Sequence, residues 1–197
     1  MDMTLFFALL GFAFVASGTP GPNNLMLLAS GANFGFKRTL PHMLGISLGH
    51  SFMVFIIGLG LAQAFHQFPM LQTILTFVSI AYMLWLAWKI AHSAPPKHGK
   101  AAGQPFTFLQ AAAFQWVNPK AVIMAISAQT NYAQSDTWLA ALMVGLGFLM
   151  VNFPAITIWA WMGTEVRRLL TNPRRLTIFN WSMATLLVAS MVPILFH

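Results

Sequence analysis

Thr19-Pro20-Gly21-Pro22-Asn23-Asn24 interrupts an apolar run, residues 4–32, that is otherwise long enough to cross a bilayer. A proline inside a helix costs about 3 kcal/mol and leaves a carbonyl without its partner. Two prolines flanking a glycine therefore specify a break in the helix. In hydrocarbon such a break persists only where protein or a wet cavity covers the freed backbone. A second break, Asn118-Pro119-Lys120, falls in a later apolar run, residues 106–132. Two interrupted spans at corresponding positions are the sequence sign of a transporter's substrate site.

The surrounding composition agrees with a membrane setting. The 197 residues are 58% hydrophobic and 7% charged, where a soluble domain has about 25% charged residues. Mean hydropathy is +0.71. The length suits six spans of about 20 residues with short connections. There is no cysteine, which excludes disulfides and intrinsic thiol chemistry. The net charge of +7 would suit nucleic acid, but it is concentrated in short segments between apolar runs, so no nucleic-acid partner is expected. Residues 5–16 resemble the apolar part of a signal peptide. The lead-in Met1-Asp2-Met3-Thr4 lacks positive charge, and the stretch reads as a first span.

Six spans are expected, at about 4–32, 40–64, 70–90, 106–132, 138–163 and 176–196. Lys37, Arg38, Lys89, Lys97, Lys100, Arg167, Arg168, Arg174 and Arg175 then fall on one side, nine of the ten basic residues. The positive-inside rule turns that side to the cytoplasm and both termini outward. Residues 92–105, rich in Pro, Gly, Lys and Ala, read as a cytoplasmic linker between halves 1–91 and 106–197. Three spans in each half give opposite orientations, so the expected fold is an all-α, six-helix 3+3 inverted repeat with helices one and four interrupted. Gly45 and Gly49 form a small-residue face for close helix contact, and such faces permit a homodimer.

Four ordered stretches carry a family resemblance. They are Thr19-Pro20-Gly21-Pro22-Asn23-Asn24, Gly45 with Gly49, Ala81-Tyr82-Met83-Leu84-Trp85-Leu86-Ala87-Trp88-Lys89, and Asn118-Pro119-Lys120-Ala121. Together they resemble the LysE/RhtB amino-acid exporters along essentially the whole chain. Pro-Gly-Pro-Asn-Asn and Trp-Leu-Ala-Trp-Lys-Ile look most like the branch exporting cysteine and O-acetylserine. Thr39-Leu40-Pro41 departs from the pattern, since members often have a glycine after the basic pair, and this bears on the first inner loop. The resemblance implies a secondary transporter of a bacterial inner membrane that exports small amino acids, driven by protons, and not an enzyme.

The residues themselves suggest how. Pro20, Gly21, Pro22, Asn23, Asn24, Asn118, Pro119 and Lys120 are the expected substrate site. Each break starts a half-helix whose N-terminal amides and dipole present partial positive charge. Two such ends suit a carboxylate. Asn23, Asn24 and Asn118 either contact substrate or only cap the half-helices. Lys120 sits at the unfavourable end of the second half-helix for a cation, and no acid lies within the spans. It serves a carboxylate or titrates during transport, or else reaches back to the cytoplasmic surface. His50 is the other candidate proton carrier, with a hydrogen-bonded packing role as its alternative. Gln115, Asn152 and Asn180 fit interhelical hydrogen bonds as well as a functional role, and Trp116 either walls the pocket or serves aromatic packing.

The shortage of acids favours neutral over dibasic substrates, whose second cation would need an intramembrane carboxylate. A thiol-disulfide carrier would need paired cysteines. A divalent-metal exporter remains the alternative transporter, though it would want clustered acids and histidines, and no cofactor or metal is expected. A membrane enzyme lacks an acid pair.

Overall fold

The computed structural model describes residues 2–61, 69–93, 104–170 and 172–190. All regular structure among them is helical: α1 (Met3–Gly18), α2 (Pro22–Phe34), α3 (Phe36–Ile56), α4 (Pro69–Ala91), α5 (Phe108–Val117), α6 (Pro119–Tyr132), α7 (Trp138–Leu169) and α8 (Pro173–Ala189). A π-helical turn, Ile57–Leu61, extends α3. Phe36–Gly60, Thr73–Ala91 and Trp138–Leu169 are long and apolar enough to cross a membrane, and α1 with α2, bent by 57°, makes a fourth if taken as one span. Phe7, Phe14, Phe52, Phe77, Met150 and Trp161 point outward and exposed, as side chains facing lipid would.

The proline breaks set the element boundaries. Pro22 and Pro119 occupy first helical positions, where the missing N–H costs nothing and φ is already helical. α7, at 32 residues, runs about 48 Å and is the central strut. It packs on α1, α2 and α3, while α3 also packs on α5 and α6, and α4 pairs with α8. Leu9, Met53, Ala125 and Phe148 fill one side of the bundle, and Leu25, Met83, Leu86, Phe114 and Leu187 fill another.

Glycines let these helices touch. A methyl group on Gly49 would lie 2.6 Å from Ala112 Cα, and one on Gly45 would lie 2.7 Å from Ala111 Cβ. Gly31 and Gly163 likewise seat α2 against α7 on backbone atoms. The Gly45/Gly49 face is therefore occupied within the chain by α5, and it offers no surface to a second copy.

Several boundaries move from their expected places. α7 continues to Leu169, six residues beyond the expected end at 163, because Glu165, Arg167 and Arg168 are good helix formers. α3 starts at Phe36, straight after Gly35 with φ 81°. Thr39-Leu40-Pro41 is thus helical rather than a loop. Thr39 is tied down by its hydroxyl, 2.9 Å from Ser30 Oγ and 3.0 Å from the Gly35 carbonyl. Of the expected linker, residues 94–103, with Lys97 and Lys100, lie outside the described residues.

Two ends of the bundle are distinguishable. Arg167 lies by Gly35, Lys89 lies over Phe106, and Asn180 joins Asn33 to the Ser93 carbonyl. The basic segments among the described residues therefore gather at one end. At the other, the Asp2 amide donates to Gln134 Oε1.

Candidate functional site

The last carbonyls of a helix have no intrahelical donors, and in an apolar setting each must find one. α1 stops at Gly18 because Pro20 cannot continue it. Its freed carbonyls are nonetheless fully used. The Thr19 amide and hydroxyl donate to Val15 and Ala16 oxygens at 3.0 and 2.9 Å. Asn24 Nδ2 donates to both Ser17 and Thr19 oxygens at 2.8 Å. Trp159 Nε1 reaches the Gly18 oxygen at 3.2 Å.

Lys120 completes the set. Its Nζ donates to the Thr19 carbonyl at 2.7 Å, to Thr19 Oγ1 at 2.8 Å, and more weakly to the Pro20 carbonyl at 3.4 Å. The absence of an intramembrane acid made its position look unsupported. Its counterpart is instead the negative end of the α1 dipole, which stabilises a cation. Lys120 does not reach back to the basic end. α2, of 13 residues, places about 20 Å of helix between that end and the lysine's anchor at Thr19.

The stem of Lys120 lies across Gly21. A Cβ there would sit 2.8 Å from Lys120 Cδ, so the residue between the two prolines must be small for the two breaks to meet. Asn23 and Gln115 add a second link, a reciprocal amide pair at 2.8 and 3.2 Å. Neither α2 nor α6 has a side-chain cap on its first amides. Asn23 and Asn24 therefore do not cap their own half-helix. Asn24 caps the helix before it, and Asn23 bridges to α5.

Between the breaks lies a cavity of about 20 Å³, room for about one water. Gly21, Asn23, Asn24, Asn118, Lys120 and His50 line it, with Ser17 and Asn152. Asn118 is buried, and its Oδ1 has no partner. His50 is also buried with both ring nitrogens unpartnered, its ring edge-on to Phe148 at 5.0 Å. The packing role expected for His50 would be a hydrogen-bonded one, and that bond is missing. A turn away on α3, Ser47 Oγ donates to Asn152 Oδ1, and Asn152 Nδ2 donates to Ser17 Oγ, both at 3.0 Å.

Most of the expected site residues thus converge on one point. Gly21, Asn23, Asn24, Asn118, Lys120 and His50 share the cavity, while Pro20 and Pro22 shape the first break and Pro119 the second. Gln115, Asn152 and Asn180 make the expected interhelical bonds. Trp116 packs edge-on to Phe52 at 6.4 Å and does not line the cavity. Thr19, Ser17 and Ser47 were not singled out from sequence. Small hydroxyl residues are frequent in apolar helices, and only the position of Thr19 directly before Pro20 distinguished it. Among the described residues no three His, Asp or Glu side chains cluster.

Apolar helices long enough to span, a covered break and a polar cavity at the bundle's middle define a membrane transport protein. Residues 13–191 match the model of the LysE type translocator. The chain belongs to the LysE family and is a transporter rather than an enzyme. It is 31% identical to the cysteine/O-acetylserine efflux protein of Escherichia coli strain K12, over 100% of both chains. The same identity and coverage relate it to the protein of that name from Shigella sonnei. The Klebsiella pneumoniae protein of that name is 31% identical over 98% of each chain. No solved structure matches the chain.

Proposed function

We propose that this protein exports small neutral amino acids or their O-acyl derivatives from the bacterial cytoplasm, by proton antiport with alternating access. One observation carries the reading: Lys120, from the second break, is held by the carbonyls of the first. A substrate carboxylate entering between the breaks competes with those carbonyls for the ammonium. It also meets the uncapped first amides of α2 and α6, which present partial positive charge. Moving Lys120 from α1 to the substrate loosens the link between the two breaks. Binding is thereby coupled to the relative position of the two halves, which alternating access requires. With room for about one water, the cavity described is that of a closed state.

The six-span 3+3 repeat is part of the proposal. Exchanging the halves pairs α1–α2 with α5–α6, α3 with α7, and α4 with α8. The packing of α7 on α1 and α2 then corresponds to that of α3 on α5 and α6, and the α3–α7 and α4–α8 pairs map onto themselves. The gathered basic residues support a reading with that end in the cytoplasm and both termini outside. The relatives' efflux of cysteine and O-acetylserine supports the substrate class, as does the absence of an acid among the described residues lining the cavity. Lys120 and His50 are the proposed proton-coupling groups.

Uptake of labelled O-acetyl-L-serine into inside-out membrane vesicles tests this. Saturable uptake that collapses with the pH gradient is expected. Saturable lysine uptake with no neutral amino acid carried would defeat the substrate class.

A further inference from the structure

A larger cavity, about 290 Å³, opens at the basic end of the bundle between α2, α3, α4 and the stretch leading into α5. That is near the lower end of ligand-pocket sizes, about 300 Å³. Ser30, Asn33, His42, Trp88, Lys89 and Phe106 are among its lining residues. His42 is 1% exposed, and neither ring nitrogen has a partner. Its ring rests against Phe106 at 5.1 Å. A neutral imidazole carries one donor and one acceptor, and leaving both unmet inside a protein is costly. Packing alone therefore does not account for His42.

The charge elsewhere in the lining points the same way. Lys89 Nζ lies over the Trp85 ring at 4.7 Å and the Phe106 ring at 5.4 Å. Among the described residues the only ion pair is Arg168 with Glu165, so Lys89 has no carboxylate. Two other polar residues of the lining are already engaged: Asn33 with Asn180 and the Ala29 carbonyl, and Ser30 with Thr39.

We propose that this cavity is an entry site for a small zwitterionic α-amino acid, its carboxylate at Lys89 and its ammonium at a ring nitrogen of His42. The inference rests on the exporter reading and on this end facing the cytoplasm. It adds a waiting position for substrate while the central cavity is closed. The volume of this cavity admits a small amino acid, and a turn of the buried His42 ring brings a nitrogen to its ammonium, whereas the centre holds about one water.

The test joins equilibrium binding with transport. Labelled O-acetyl-L-serine is bound to the purified full-length protein in nanodiscs, and uptake is followed in inside-out vesicles. His42→Gln and Lys89→Gln should each weaken binding about tenfold, a loss of one hydrogen bond or charge contact. Each should raise the half-saturating concentration by a similar factor without lowering the maximal rate. Lys120→Gln should instead lower the maximal rate. Lys89→Gln carries the test alone if His42→Gln does not fold. No binding to the wild type would overturn the inference, as would binding unchanged in the variants, or a phospholipid that O-acetylserine does not displace. Binding to wild type without any uptake would instead sink the exporter reading and leave the site standing.

Discussion

The two breaks are built from similar residues yet are finished differently. At the first, three residues separate α1 from α2, and the freed carbonyls of α1 are met by Thr19, Asn24, Trp159 and Lys120. At the second, Asn118 alone separates α5 from α6, its backbone extended at φ −88° and ψ 105°, and its buried side-chain oxygen is unmet. One break is a satisfied structural joint; the other keeps an unused acceptor beside the cavity. The difference teaches that a helix interruption has two separable duties. It must quiet its own backbone, and it must leave something for a ligand. Here the first break supplies the anchor, and the second supplies the lysine held by it and the unmet Asn118 oxygen.

Substitutions can break or sharpen that contrast. The largest effect is expected from Lys120→Gln, which removes the cation joining the breaks. Its maximal export rate should fall at least about tenfold, equivalent to about 1.4 kcal/mol, in protein that still reaches the membrane. Wild-type flux would show that the link is dispensable. Asn24→Ala strips the donor from the Ser17 carbonyl, while Lys120 still meets that of Thr19, and should destabilise the fold by about 1–3 kcal/mol, the cost of leaving a buried acceptor unmet. Thermal unfolding of the detergent-solubilised protein measures this, and unchanged stability would mean the first break is not held as described. Asn118→Ala should show the opposite pattern, losing less stability than Asn24→Ala because its side-chain oxygen has no partner to lose, but with export several-fold lower. If it destabilises as much as Asn24→Ala, the two breaks are alike after all. Smallest is the coupling of Asn23 and Gln115. A double-mutant cycle to alanine should give about 0.6 kcal/mol, the usual interhelical value, and zero coupling would argue against the amide pair.

The breaks themselves were legible from sequence because proline and glycine act through local backbone geometry, which needs no knowledge of neighbours. The meeting of Lys120 with the first break was legible only as a puzzle. An ammonium without an acid invites a search among side chains, whereas its partner is a carbonyl set free by a proline 100 residues earlier. His42 escaped notice for a related reason. The segment with Lys37, Arg38 and Pro41 reads as a surface turn, but the helix begins at Phe36 and carries the histidine inside. The glycine pair at 45 and 49 was legible as a close-packing face, but its partner inside the chain was not, since spacing alone does not name the opposing helix.

Carboxylate recognition by Lys120 is the central claim, and a competition measurement addresses it directly. Uptake of labelled O-acetyl-L-serine into inside-out vesicles is inhibited with L-serine or with L-serinamide, which lacks the carboxylate, in wild type and in Lys120→Gln. Wild type should favour L-serine by at least about tenfold, as one lost charged contact implies, and the residual uptake of the variant should favour it by clearly less. An equal preference for L-serine in both proteins would contradict the account.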